Sequence, residues 1–355
     1  MRPSVRELLI GRQRIADDAD PFVIAEIGGN HGGSVERACQ LIVVAKDAGA
    51  DAVKFQTRTL GDIYTRRLLN SPYDHEHSYG TTYGAHRAAL EFTPAQLRET
   101  QRFATACGLL WFSTAFDERA ADRLMELGVP ALKIASGDLI NIPLLRYVAT
   151  LGVPLIVSTG GGTLEDVDRA VGALGTAPFA LLHCTAAYPL EPKDAHLRVI
   201  PALRARYPET VIGWSSHSPG IALSLVAHGL GASILEHHIT LNRAEKGTDH
   251  GFSLEPRGLH TLVEDLHKVR CALGDPEKQR WPCEEAPLRK MAKALVAARP
   301  LAVGQVLRPG DLARKSPATG LPPYLEASVM GFALARSLEE DEPMTHAHLR
   351  SETTA

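Results

Sequence analysis

The sequence predicts an α/β protein: a (β/α)8 TIM barrel followed by a small β-rich domain. Three observations carry the prediction. Eight short, β-branched apolar runs each precede a stretch long enough for a helix, which is the rhythm of βα units. Those repeats fill about 270 residues, which suits a closed parallel barrel better than an open doubly wound sheet. The pattern then changes near residue 280 of 355, leaving chain for a second, smaller domain.

The run FVIAEI from Phe22 opens the series, followed by a helical pattern from Ser34 to Ala48. AVKFQT from Ala52 is the second strand, and its helix begins after Thr93-Pro94, a start signal. LLWFST, ALKIAS, PLIVST, FALLHCT, VIGWSS and SILEHH complete the eight, each with room for a helix behind it. Between the second strand and its helix, Arg58 to Glu91 is long, polar and rich in Tyr, His and Gly, which reads as an irregular lid or loop above the barrel mouth. The charged, Pro-containing phrase EKQRWPCEEAPLRK marks a boundary, so the expected division is 1–280 barrel, 281–291 linker and 292–355 second domain. Two strand-and-turn phrases in that last segment make it β-rich.

Composition narrows the function classes. Hydrophobic residues are 45% and charged residues 22%, values of an ordinary globular protein rather than a disordered one. The 38 basic and 41 acidic side chains nearly cancel and form no basic stripe, so nucleic-acid binding is not expected. Five scattered cysteines without a CxxC pair read as reduced thiols, not as a zinc site or a disulfide framework. No run has the length of a signal peptide or membrane helix, so the expectation is a cytoplasmic protein without membrane contact.

Barrel chemistry gathers where strands end at their C-terminal side. The polar residues closing the runs are Glu26, Lys54 with Gln56, Thr114, Lys133 with Ser136, Ser158 with Thr159, His183, Tyr188, Ser215 with His217, and Glu236 with His238. An unpaired ammonium among apolar neighbours is costly, so Lys54 and Lys133 call for anionic partners. Either they hold a ligand's phosphate and carboxylate, helped by Thr, Ser and backbone amides, or they pair with barrel carboxylates such as Glu26 or Asp138. His217 and His238 end adjacent strands, so both imidazoles can reach one divalent metal, with Glu26 or Asp249 as oxygen ligand directly or through water.

These phrases resemble the sialic acid (N-acetylneuraminate) synthase family, from about Phe22 to the C-terminus. AEIGGNHGG, AVKFQT, FSTAF, LKIASGD, LLHCTAAYP, GWSSHSPG and ILEHHIT occur in the family's order, and the tail from residue 292 is similar to its antifreeze-protein-like (SAF) domain. The resemblance implies a metal-dependent condensation of phosphoenolpyruvate with the aldehyde of an open-chain sugar, commonly N-acetylmannosamine, with release of phosphate. It implies that His217 and His238 bind manganese, or magnesium or cobalt in its place. Lys54, Thr114, Lys133, Ser136 and Ser215 would hold phosphoenolpyruvate, Glu26 would position or activate water, and Gln56, Asp138, Tyr188 and Asp249 would lie at the metal and sugar. It also implies a homodimer in which the second domain crosses to cover the partner's barrel mouth, bringing Arg314 and Ser316 to the sugar.

Three departures bear on the acceptor. Members that form sialic acid carry Asn where Ala186 stands, Glu at Asp138, and an Arg in an RPGTG phrase where SPATG places Ser316. A pocket that has lost a polar contact disfavours the ligand that needed it. The resemblance gives N-acetylmannosamine or a related sugar as the expected acceptor, and the three departures weigh against N-acetylmannosamine itself. The alternatives are a divergent synthase using another aldehyde in a specialised pathway, such as secondary-metabolite or spore-coat sugar assembly, and a non-catalytic carbohydrate-binding relative.

Overall fold

The structure is a computed structural model that describes residues 5–350. The chain forms two compact units, dividing between Gly274 and Asp275. In the first, a short hairpin of β1 (Glu7–Ile10) and β2 (Gln13–Ala16) precedes eight parallel strands. These are β3 (Phe22–Glu26), β4 (Ala52–Thr57), β5 (Leu110–Ala115), β6 (Leu132–Ile134), β7 (Leu155–Ser158), β8 (Phe179–Cys184), β9 (Val211–Ser216) and β10 (Ile234–His238). They pair in chain order and β10 closes on β3, with Ile234 opposite Phe22 and His238 opposite Glu26. The (β/α)8 barrel expected from the eight runs is the fold observed.

The strands are apolar almost throughout because helices cover the barrel's outer face. The crossover helices begin where the sequence signals them. Ser34 caps Val35–Ala48, Thr93 forms a capping box with Gln96 ahead of Pro94–Ala106, and Thr163 forms one with Asp166. Gly49 ends the first helix at φ 82°, a left-handed conformation that glycine adopts without a Cβ penalty.

Two features differ from the sequence reading. The hairpin went unread, since ELLIGRQRIA is too short to stand out. It turns at Gly11 (φ 61°), buries Leu8, Ile10 and Ile15, and lies against Leu110 and Pro130 at the strands' N-terminal ends. The 58–91 insertion is not irregular throughout: it holds helices Leu60–Ile63, Arg66–Leu69 and Tyr83–Leu90. Thr65 and Thr82 cap the last two, and the rings of Tyr73, Tyr83 and buried His86 pack together, giving the segment a small core of its own.

The second unit pairs β11 (Ala294–Ala297) with β12 (Leu312–Lys315) in an antiparallel sheet, extended by isolated bridges such as Leu301 with Leu338. Its core includes Leu295, Leu301, Leu334, Leu338 and Met344. Residues 281–291, read as a linker, hold a turn at Pro282–Glu284 and a helix at Glu285–Met291. No helix among the described residues is long and apolar enough to cross a membrane.

Candidate active site

Strand register assembles the site. Glu26 of β3 lies opposite Lys54 of β4, Gln56 opposite Thr114 of β5, Thr114 opposite Lys133 of β6, and Ser215 of β9 opposite Glu236 of β10. Residues far apart in sequence thus share one end of the barrel, around a cavity of about 650 Å³. Glu26, Lys54, Gln56, Thr114, Lys133, Ser136, Tyr188, Ser215, His217, His238 and Asp249 all line it.

Charges in the cavity are matched. Lys54 Nζ lies 2.6 Å from Glu26 Oε2, donates to Thr114 Oγ1 at 2.8 Å, and is 3.8 Å from Glu236 Oε1. Lys133 Nζ donates to Ser158 Oγ at 2.6 Å and to the Ile134 carbonyl at 3.0 Å, and lies 4.0 Å from Glu236. All four charged groups are at least nine-tenths buried. Of the two readings open for the lysines, pairing with barrel carboxylates is therefore present, with Glu236 in the role given to Asp138. Burial lowers the Lys133 pKa despite Glu236. Burial would raise the Glu236 carboxyl, but Lys133 and Lys54 hold it below its ordinary range. Ion pairs so dry stabilise little in themselves, yet leave two ammoniums pointing at one space where an incoming anion can compete for them.

The histidines stand together beside this cluster. Their ring centroids are 5.4 Å apart, with Phe252 packed edge-on against both. His217 Nδ1 donates to the Thr185 carbonyl at 3.2 Å, which leaves the Nε2 lone pair free. Burial, with His238 nearby, lowers its pKa to about 4, so this ring is neutral at physiological pH. His238 Nδ1 has no hydrogen-bond partner and lies 3.7 Å from Asp249 Oδ2. Gly28 (φ 54°) makes the approach of β3 to these groups fit, because a Cβ there would lie 3.0 Å from Glu26 Oε1 and 3.3 Å from His238 Cε1. Among the described residues no three His, Cys, Asp or Glu side chains converge closely enough to hold a metal. Two imidazoles with a carboxylate nearby fit a divalent ion that completes its shell with water or substrate oxygens.

Three candidate residues lie elsewhere. Asp138 sits in a turn after β6, accepts from Asn141 Nδ2 at 3.0 Å, and lines a separate pocket with Asp62 and Asp117. In the second unit, Arg314 is engaged with Glu326 at 2.7 Å, and Ser316 Oγ donates to the Met291 carbonyl at 3.0 Å. His183 points away from the cavity because strand side chains alternate, so its neighbour Cys184 faces inward instead. The sequence reading missed Arg58 and Arg87 of the insertion, which also line the cavity.

The NeuB family model matches residues 41–278, and the SAF domain model matches 292–350. The chain belongs to the NeuB family. The human N-acetylneuraminate-9-phosphate synthase is 42% identical, over 90% of both chains. The N,N'-diacetyllegionaminic acid synthase of Legionella pneumophila is 31% identical, over 93% of this chain and 95% of that one. Among solved structures, the N-acetylneuraminic acid synthetase of Leptospira borgpetersenii, crystallised with citrate, has a TM-score of 0.72 and 32% identity over 81% of this chain and 97% of its own. Relatives of the NeuB family that carry an activity in these names are synthases, and this chain is an enzyme of that type.

Proposed function

We propose that this enzyme condenses phosphoenolpyruvate with the aldehyde of an open-chain sugar, N-acetylmannosamine or a related one, giving a 2-keto-3-deoxy sugar acid and phosphate. One observation carries the reading: Lys54 and Lys133, buried and serving a common cavity, stand beside the paired imidazoles of His217 and His238. Two ammoniums at the floor, with the hydroxyls of Thr114, Ser136, Ser158 and Ser215, suit a small ligand bearing both phosphate and carboxylate. On binding, such a ligand takes over the lysines from Glu26 and Glu236.

Released from Lys54, Glu26 is placed to orient the water that adds to the second carbon of phosphoenolpyruvate and to take its proton. The enol carbon bonds to the aldehyde carbon, the aldehyde oxygen gains a proton, and phosphate leaves with the bridging oxygen as the carbon–oxygen bond breaks. His217 and His238 would hold a divalent ion, manganese or in its place magnesium or cobalt, which when bound supplies Lewis-acid polarisation of the aldehyde. Gln56, Tyr188 and Asp249 form the wall against which the sugar chain would lie. The resemblance also motivates a homodimer and a cytoplasmic site of action as parts of this reading.

The test is phosphate release from phosphoenolpyruvate labelled with 18O at the bridging position, using N-acetylmannosamine and a panel of other aldehydes, with manganese or with a chelator. Manganese-dependent release of labelled phosphate with a matching product mass is expected. No release with any aldehyde would overturn the reading. Release of unlabelled phosphate would overturn the bond assignment.

A further inference from the structure

We propose that Arg58 is a positioning residue for Glu26: it turns the Gln56 amide so that Gln56 can only donate to the carboxylate and thereby holds it aimed. The inference rests on the synthase reading above, in which Glu26 handles the attacking water.

Alternation along β4 puts Lys54, Gln56 and, one residue past the strand's end, Arg58 on the cavity side. Together with two carboxylates they form one line of contacts. Glu91, which follows the helix Tyr83–Leu90, holds Arg58 twice: Oε1 accepts from Nη1 at 2.9 Å, and Oε2 accepts from the Arg58 backbone amide at 3.1 Å. Arg58 Nη2 donates to Gln56 Oε1, and Gln56 Nε2 donates to Glu26 Oε1 at 2.8 Å. Lys54 closes the line at the other carboxylate oxygen, 2.6 Å from Glu26 Oε2. The guanidinium also lies 4.0 Å from the centre of the Phe116 ring, and only 8% of the Arg58 side chain is exposed, so it has little freedom to turn away.

A primary amide can offer a neighbour either its oxygen or its NH2 group. Arg58 removes that choice. A guanidinium has no acceptor, so a flipped Gln56 would set donor against donor at Arg58 and oxygen against oxygen at Glu26, losing both bonds. The consequence appears when Lys54 turns to an incoming anion. Glu26 then loses its contact at Oε2, and the Gln56 bond at Oε1 remains to keep the carboxylate aimed. Glu91 already neutralises the charge of Arg58, so what Arg58 lends is direction. A lysine in its place, a single point donor without the planar fork, reaches Gln56 or Glu91 but not both.

Steady-state rates with phosphoenolpyruvate, manganese and the best acceptor of the panel would be compared for the unaltered protein, Arg58→Met, Arg58→Lys, and Glu26→Gln with and without Arg58→Met. Because Arg58→Met leaves Glu91 buried without its partner, the charge-balanced Arg58→Met/Glu91→Gln runs beside it. The expected result is a kcat lower by roughly 10- to 100-fold in both, with KM for phosphoenolpyruvate within about threefold of its original value. Lysine should recover part of the rate, and adding Arg58→Met to Glu26→Gln should cost nothing further, since both act through one carboxylate. An unchanged kcat, a loss carried by KM instead, or losses that multiply in the Glu26→Gln background would each overturn the inference while the synthase reading stands. The Gln56 side-chain amide supplies a readout without turnover. In 15N-glutamine-labelled protein free of substrate and metal, its NH2 protons should exchange slowly with water, and this protection should be lost in Arg58→Met/Glu91→Gln. If no acceptor turns over, that exchange decides: protection that depends on Arg58 keeps the positioning while the synthase reading falls, and its absence sinks both.

Discussion

At the scale of single residues, the buried lysines and Glu26 separate binding from chemistry. Lys133→Met removes an ammonium from a wall where Ser158 and Glu236 face it, and should raise the KM for phosphoenolpyruvate by roughly 100-fold or more, since a buried charge-assisted contact is lost and Glu236 is left less compensated. Glu26→Gln keeps the shape while removing the base. It should lower kcat by about 100- to 10,000-fold with a smaller change in KM, as steady-state rates at varied phosphoenolpyruvate would show. These residues were legible in the sequence because each closes an apolar run, where a charge is conspicuous. Asp138 was legible in the same way and misplaced, because the chain leaves β6 in a tight turn that aims its carboxyl at Asn141 and away from the cavity. Arg87 was illegible, since nothing local distinguishes an arginine facing a cavity from one facing water.

At the scale of elements, the turn after β3 docks the insertion. Gly33 (φ 81°) sits so close to the helix Tyr83–Leu90 that an added Cβ would lie 2.3 Å from the Ala89 carbonyl oxygen. Gly33→Ala therefore combines left-handed strain with a backbone clash and should cost about 1–3 kcal/mol in urea unfolding. Gly49→Ala also has positive φ, but its Cβ would meet only Val263 at 3.4 Å, so about 1 kcal/mol is expected. Tyr79 donates to the Lys246 carbonyl, joining the insertion to the loop after β10 as well. Strands and crossover helices were readable because period and caps are local signals. The order inside the insertion was not, because it arises from the packing of Tyr73, Tyr83 and His86 across a loop.

At the scale of the whole molecule, buried imidazoles set the response to acid. His31 stacks on Phe92 at 4.1 Å and accepts from the Gly33 amide, and burial lowers its pKa to about 4. In the unfolded chain the ring takes up a proton below about pH 6.5, while the folded ring stays neutral down to about pH 4. The stability it contributes is present above pH 6.5 and is lost as pH falls through that window, by roughly 3 kcal/mol for this ring. Denaturant unfolding at pH 7.5 and 4.5 should show the loss, and His31→Gln should flatten the slope. The hairpin of β1 and β2 lies at the strands' N-terminal ends, opposite the cavity, with Ile10 and Ile15 buried in the barrel's core. Traffic therefore passes through a single doorway, and whatever binds the lysines at the floor must enter before a longer molecule fills the space above. The kinetic consequence is a compulsory sequence, phosphoenolpyruvate first and sugar second: an unreactive sugar analogue should inhibit uncompetitively against phosphoenolpyruvate, and competitive inhibition would show that the queue is not enforced.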